Sequence, residues 1–174
     1  ALPALGAALL KPVLSPDGRV ILTLSDEVNS TKLWDAISGE ELHTLRGQLF
    51  VCSAVFSPNG HQVVTSSLGG TAKVWDVATG EELYTLKDAF APNFSPDGSL
   101  LVTQEPRRTK KHSKTVDIPK TVDIPVSSGT AKVWDVATGK ELYTLKDVYY
   151  ETFYTRDPEA SLALNFSPDG SLLV

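Results

Sequence analysis

The chain has 174 residues, with 16 Lys+Arg against 21 Asp+Glu, a formal charge of −5 and 41% hydrophobic residues. That balance fits an ordinary globular chain and excludes a globally basic nucleic-acid binder, and no apolar run reaches the ~20 residues that span a bilayer. One cysteine, Cys52, excludes an intramolecular disulfide framework and a multi-cysteine zinc site, and three histidines (His43, His61, His112) leave little for any metal cluster.

No methionine occurs, even at position 1, so a processed chain or a piece of a longer one is expected. Residues 1–10 are apolar and rich in small side chains. A signal-peptide remnant would need a basic region or a cleavage motif, and neither is present; an edge strand is the plainer reading.

In chain order, the first signal is the turn S-P-D-G at 15–18, which recurs as S-P-N-G at 57–60 and S-P-D-G at 95–98 and 167–170. Proline suits the second position of such a turn and glycine the fourth. An apolar run follows each of the first three, at 20–24, 62–65 and 100–103. A third run ends in Trp-Asp: Trp34-Asp35, Trp75-Asp76 and Trp134-Asp135, which are all the tryptophans of the chain. Its period-two alternation, as in 71–75, predicts a half-buried strand. A glycine turn (Gly39, Gly80, Gly139) then leads to a fourth run ending in leucine, at 40–45, 81–86 and 140–145. Four short strands per unit of about 40 residues predict the blade of a β-propeller.

The pattern F-S-P-D-G … G-T-A-K-V-W-D-V-A-T-G-E-E-L-Y-T-L resembles the WD-repeat (Trp-Asp repeat) β-propeller family, over residues 9–105 and 128–174. The resemblance implies an all-β fold of four-stranded antiparallel blades, with the tryptophans structural. Three full blades are expected, at 9–46, 49–87 and 89–146, with two strands of a fourth at 160–174. Stretches 70–88 and 129–147 match at 18 of 19 positions, and 93–102 matches 165–174 at all ten. Such near-identity resembles the amplified WD-repeat proteins of bacteria. An incomplete ring exposes sheet edges, so self-association or a longer parent chain is expected.

The resemblance also exposes departures. A blade of this family carries a Gly-His pair before its first strand and an Asp before the Trp-Asp strand, forming a buried network with the tryptophan. Here Arg46-Gly47-Gln48, Lys87-Asp88-Ala89 and Lys146-Asp147-Val148 stand at the first place, and Leu68-Gly69-Gly70 at the second. The network is therefore expected to be absent, with packing taking over.

Two insertions, 104–128 and 147–159, belong to the third blade. The first holds Arg107, Arg108, Lys110 and Lys111, then K-T-V-D-I-P twice. Residues 107–120 contain six Lys/Arg and one acid, a net +5, which leaves −10 for the rest. The second holds Tyr149, Tyr150, Phe153 and Tyr154. By the family's topology both connections open on one side of the disc, so these eight residues are the expected partner site, suited to an acidic protein or peptide bearing apolar groups. The plainer readings are a solvated basic loop, aromatics packed on the blade rim, and a hexapeptide duplicated without function.

No G-x-S-x-G, phosphate loop, H-E-x-x-H or C-x-x-C occurs. Asp17, Asp97 and Asp169 are explained by their turns, and Cys52 by burial in an apolar strand. The expectation is a non-enzymatic, cytoplasmic interaction scaffold without cofactor, metal or membrane. The alternatives are a nucleic-acid or phosphate-binding module through 107–114, and a sensor or regulatory domain of a larger protein.

Overall fold

The repeated turns fold the chain into hairpins, and the hairpins into sheets. A computed structural model describes residues 12–25, 30–105, 127–150 and 166–169. Among the described residues there are twelve strands and no helix. The first sheet comprises β1 (Val13–Leu14), β2 (Val20–Ser25), β3 (Ser30–Asp35) and β4 (Glu41–Leu45). The second comprises β5 (Val51–Phe56), β6 (Gln62–Ser67), β7 (Thr71–Asp76) and β8 (Glu82–Lys87). The third comprises β9 (Phe90–Phe94), β10 (Leu100–Gln104), β11 (Ser127–Asp135) and β12 (Glu141–Tyr150). Each sheet is antiparallel and takes its four strands in sequence order, which is an incomplete β-propeller.

Burial follows position in the blade. β6 is buried almost throughout, because a middle strand has neighbours on both faces. β7 alternates, with Ala72 and Val74 fully buried and Lys73 half-buried. β8, the outermost strand, is mostly exposed. The first strands β1, β5 and β9 lie side by side on the inner edge.

Successive blades pack face to face. Leu22, Leu33 and Leu45 of blade one meet Phe56, Val63 and Trp75 of blade two. Val64, Val74 and Leu86 of blade two meet Phe94, Leu101 and Trp134 of blade three. The side of each blade that carries its tryptophan, here the leading side, thus lies on the trailing side of the blade before it. Trp75 and Trp134 are 4% and 7% exposed, whereas Trp34 is only half-buried. On the trailing side of blade three, Val102, Ala131 and Val133 are buried with Phe166 packed against them. Residues 9–11 of the expected first blade, and most of the expected fourth, lie outside the described residues.

The outer hairpin of blade three is longer than expected. β11 and β12 have 9 and 10 residues, against 6 each in β7 and β8. The second insertion was expected to leave the sheet at 147. Instead β12 continues, because Ser127 and Ser128 at the end of the first insertion pair with Tyr150 and Tyr149 at the start of the second.

Candidate functional site

The antiparallel order sorts the connections between the two ends of each blade. One end carries the S-P-D-G and Trp-Asp turns, and both are closed by their own side chains. In blade three, Ser95 Oγ donates to Asp97 Oδ1 (2.6 Å) and accepts from Leu100 N (2.9 Å), while Asp97 also accepts from Ser99 N (3.1 Å). These bonds, the Ser95 hydroxyl foremost, hold the Asp97 carboxyl down at about 2. Asp17 is held low in the same way by Ser15. In the neighbouring turn Asp135 accepts from Thr138 N (2.8 Å) and Thr138 Oγ1 (2.6 Å), which lowers its pKa, and Gly139 takes a left-handed φ of 66°. Every carboxylate oxygen bonded here has a turn partner, which assigns these aspartates to the turns.

The opposite end gathers the connections between second and third strands and between successive blades. Leu68 N donates to Phe50 O (3.1 Å), and Ala89 N to Gly70 O (3.0 Å). In blade three Glu105 N donates to Thr130 O (3.0 Å), and the β11–β12 hairpin runs on to Ser127 and Tyr150. Of the eight expected partner-binding residues, Tyr149 and Tyr150 therefore stand on β12. Arg107, Arg108, Lys110, Lys111, Phe153 and Tyr154 lie outside the described residues.

Each tryptophan anchors a polar node. Trp34 Nε1 donates to Thr23 Oγ1 (2.8 Å), Trp75 Nε1 to Thr65 Oγ1 (2.9 Å) and Trp134 Nε1 to Thr103 Oγ1 (2.9 Å). A lysine stands over each ring: Lys32, Lys73 and Lys132 at 5.3, 5.5 and 5.6 Å from the centroid, each also paired with a glutamate of the last strand. In blade two the node extends further. Thr65 Oγ1 donates to Gln48 Oε1, and Gln48 Nε2 donates to Thr71 O (2.9 Å) and Thr65 O (3.3 Å). The expectation of no tryptophan-centred network is thus corrected. Gly47, with φ 92°, turns the chain so that Gln48 enters the blade, and its amide supplies the donor and acceptor there.

Sequence reading missed one surface feature. Leu49, Phe50 and Leu68 are exposed at the end of blade two that corresponds to the Glu105 end of blade three. Phe50 holds φ 55°, a left-handed conformation that a bulky side chain rarely adopts. The available signal was three large apolar residues at loop positions beside glycine, where polar residues are usual. Cys52 is half-buried; its Sγ donates to Ser66 O (3.4 Å), and burial pushes the thiol up, away from nucleophilic reactivity. Among the described residues no cluster of three or more His, Cys, Asp or Glu could hold a metal ion, and no helix is long and apolar enough to cross a membrane.

The family model described as WD domain, G-beta repeat matches residues 39–76. The match runs from the end of the first Trp-Asp turn through β4, β5, β6 and β7 to the second Trp-Asp, so the sequence repeat joins the last strand of one blade to the first three of the next. No curated protein matches the chain. Residues 39–76 are therefore a WD repeat, and such repeats generally act as protein-interaction scaffolds and are typically non-enzymatic.

Proposed function

We propose that this WD-repeat chain is a non-enzymatic scaffold that holds an acidic protein or peptide at the end of blade three where both insertions leave. The observation that carries the reading is the pairing of Ser127 with Tyr150 and of Ser128 with Tyr149. Those pairs put the last residues of the first insertion beside the first aromatic residues of the second. Arg107, Arg108, Lys110 and Lys111 supply charge for encounter. Tyr149, Tyr150, Phe153 and Tyr154 supply rigid apolar area of the kind enriched at hot spots. The exposed Leu49, Phe50 and Leu68 of blade two extend the apolar area at the same end.

The experiment is capture of partners by the full chain and by a version lacking residues 106–126. The reading expects a protein retained by the first and lost from the second. Arg107→Glu with Arg108→Glu should slow association and flatten its salt dependence. Phe153→Ala should speed dissociation by on the order of 1–2 kcal/mol. Equal capture by both versions would refute the site. Loop-dependent capture of nucleic acid alone would replace it with phosphate recognition, marked by steep salt dependence.

A further inference from the structure

One interface is built twice inside the chain. Between blades one and two, His43 Nε2 lies 2.9 Å from Ala78 O, and its ring covers Gly80, where an added Cβ would come within 2.6 Å of it. Between blades two and three, Tyr84 at the matching position donates its hydroxyl to Val136 O (2.6 Å). Its ring covers Gly139, where an added Cβ would come within 2.7 Å. In both, a ring on the last strand of one blade seats on the Trp-Asp turn glycine of the next. At the neighbouring turn, Gly60 rests near Pro16 and Gly98 near Pro58.

Among the described residues, each half of that interface recurs without its full counterpart. On the leading side of blade one, a Cβ added at Gly18 or Gly39 would meet nothing within 4 Å. Leu14, at the position of the buried Phe56 and Phe94, is 56% exposed. On the trailing side of blade three, Tyr143, at the position of Tyr84, is 49% exposed. The inner part of that trailing side carries Phe166, which matches Phe56 and Phe94 in sequence.

We propose that the leading side of blade one is an interface for a second copy of this chain, taking the trailing side of blade three with Tyr143 seated on the Gly39 turn. The two sides are complementary by construction, since each reproduces one half of an interface already formed twice in the molecule. The contact is heterologous, head to tail, so every copy offers one donor side and one acceptor side. Leu14 of the receiving copy and Phe166 of the incoming copy compete for one place, and this competition sets the strength of association. The partner site at the opposite end of blade three does not enter the contact.

Sedimentation velocity of the full chain over a concentration series tests this, with Leu14→Glu, Tyr143→Ala and their equimolar mixture. Both substitutions are at exposed positions, and circular dichroism checks the fold of each. The native chain should sediment faster as concentration rises, and each variant alone should stay monomeric. The mixture should form dimers and nothing larger, because one intact side remains on each molecule. Phe166→Ala should strengthen association several-fold by removing the competitor, and Tyr143→Phe should weaken it several-fold by losing the hydroxyl. A native chain that is monomeric at every concentration would overturn the proposal and leave the side to a blade of another chain. Variants that self-associate like the native chain, or a mixture of folded variants that forms no dimer, would overturn it as well.

Discussion

Blades two and three begin from nearly the same outer hairpin and end differently. Residues 70–88 and 129–147 differ only at Glu81 against Lys140, and Trp75 and Trp134 make the same 2.9 Å bond to a threonine. The connection into each blade is what separates them. Ten residues lie between Leu45 and Phe56, and seven between Leu86 and Phe94. Both connections enter through a left-handed residue, Gly47 at φ 92° and Asp88 at φ 51°. The next residue is then buried, but in blade two it is Gln48, which bridges two strands, and in blade three it is Ala89, which offers only its backbone N–H to Gly70 O. Duplicated strands therefore reproduce the core, while the connections decide which blade gains a polar bridge and which an extended hairpin.

The largest effect expected concerns what the two blades share. Trp75→Ala and Trp134→Ala should each cost about 3–5 kcal/mol in denaturant unfolding, because each empties a buried aromatic site between blades. Trp34→Ala should cost clearly less, since no preceding blade covers that ring among the described residues. Equal losses at all three would erase the distinction between covered and uncovered leading sides.

Next comes what they do not share. Gln48→Ala should cost about 1–3 kcal/mol, because Thr65 Oγ1 and the Thr71 carbonyl lose a buried partner. A double-mutant cycle of Gln48→Ala with Thr65→Val should show coupling of roughly 0.5–3 kcal/mol. Ala89→Gly with Thr103→Val in blade three should be additive. Coupling of the same size there would mean that the bridge is not what distinguishes blade two.

A smaller effect separates the two blade interfaces by pH. Burial, and then the Asp135 charge, raise the Tyr84 pKa from 10.0 to about 12. The folded chain thus holds that proton more tightly than the unfolded chain. The resulting stability is complete below pH 10 and is lost as pH rises through about 12. Tyr84→Phe should lose about 1 kcal/mol for its hydrogen bond at neutral pH and flatten the alkaline limb of an unfolding profile. The first interface carries His43 at this place and no tyrosine hydroxyl.

The smallest effect lies in the turns. Asp97 is depressed from 3.8 to about 2, chiefly by Ser95, so its contribution is present above about pH 4 and fades as pH falls through about 2. Asp97→Asn should flatten the acid limb of the same profile. Blade two already carries Asn59 there, so Asn59→Ala should leave the acid limb as it is.

What was legible in the sequence was whatever a short local pattern specifies. The S-P-D-G turns, the alternating strands ending at Trp34, Trp75 and Trp134, and the blade order all follow from turn chemistry and period-two burial. Gln48 was not legible as a bridge, because its partners Thr65 and Thr71 lie 17 and 23 residues away and meet it only after Gly47 turns the chain inward. The exposure of Leu49, Phe50 and Leu68 was hidden for the opposite reason, since apolar residues next to a strand read as more strand. The proposed partner site rests on composition, a basic run and an aromatic run. That Tyr149 and Tyr150 continue β12 was not legible, because it depends on Ser127 and Ser128 returning from the other insertion to pair with them.

The proposed partner site requires that both insertions of blade three leave from one end of its sheet. Pulsed electron-spin measurements with labels at positions 106, 151 and 138, in a Cys52→Ser background, test it most directly. Position 138 lies in the Trp-Asp turn at the far end of β11, nine residues long, or about 30 Å at ~3.3 Å per residue. The 106–151 distance should be well below both the 106–138 and the 151–138 distances. A label at 106 that lies nearer to 138 than to 151 would contradict it.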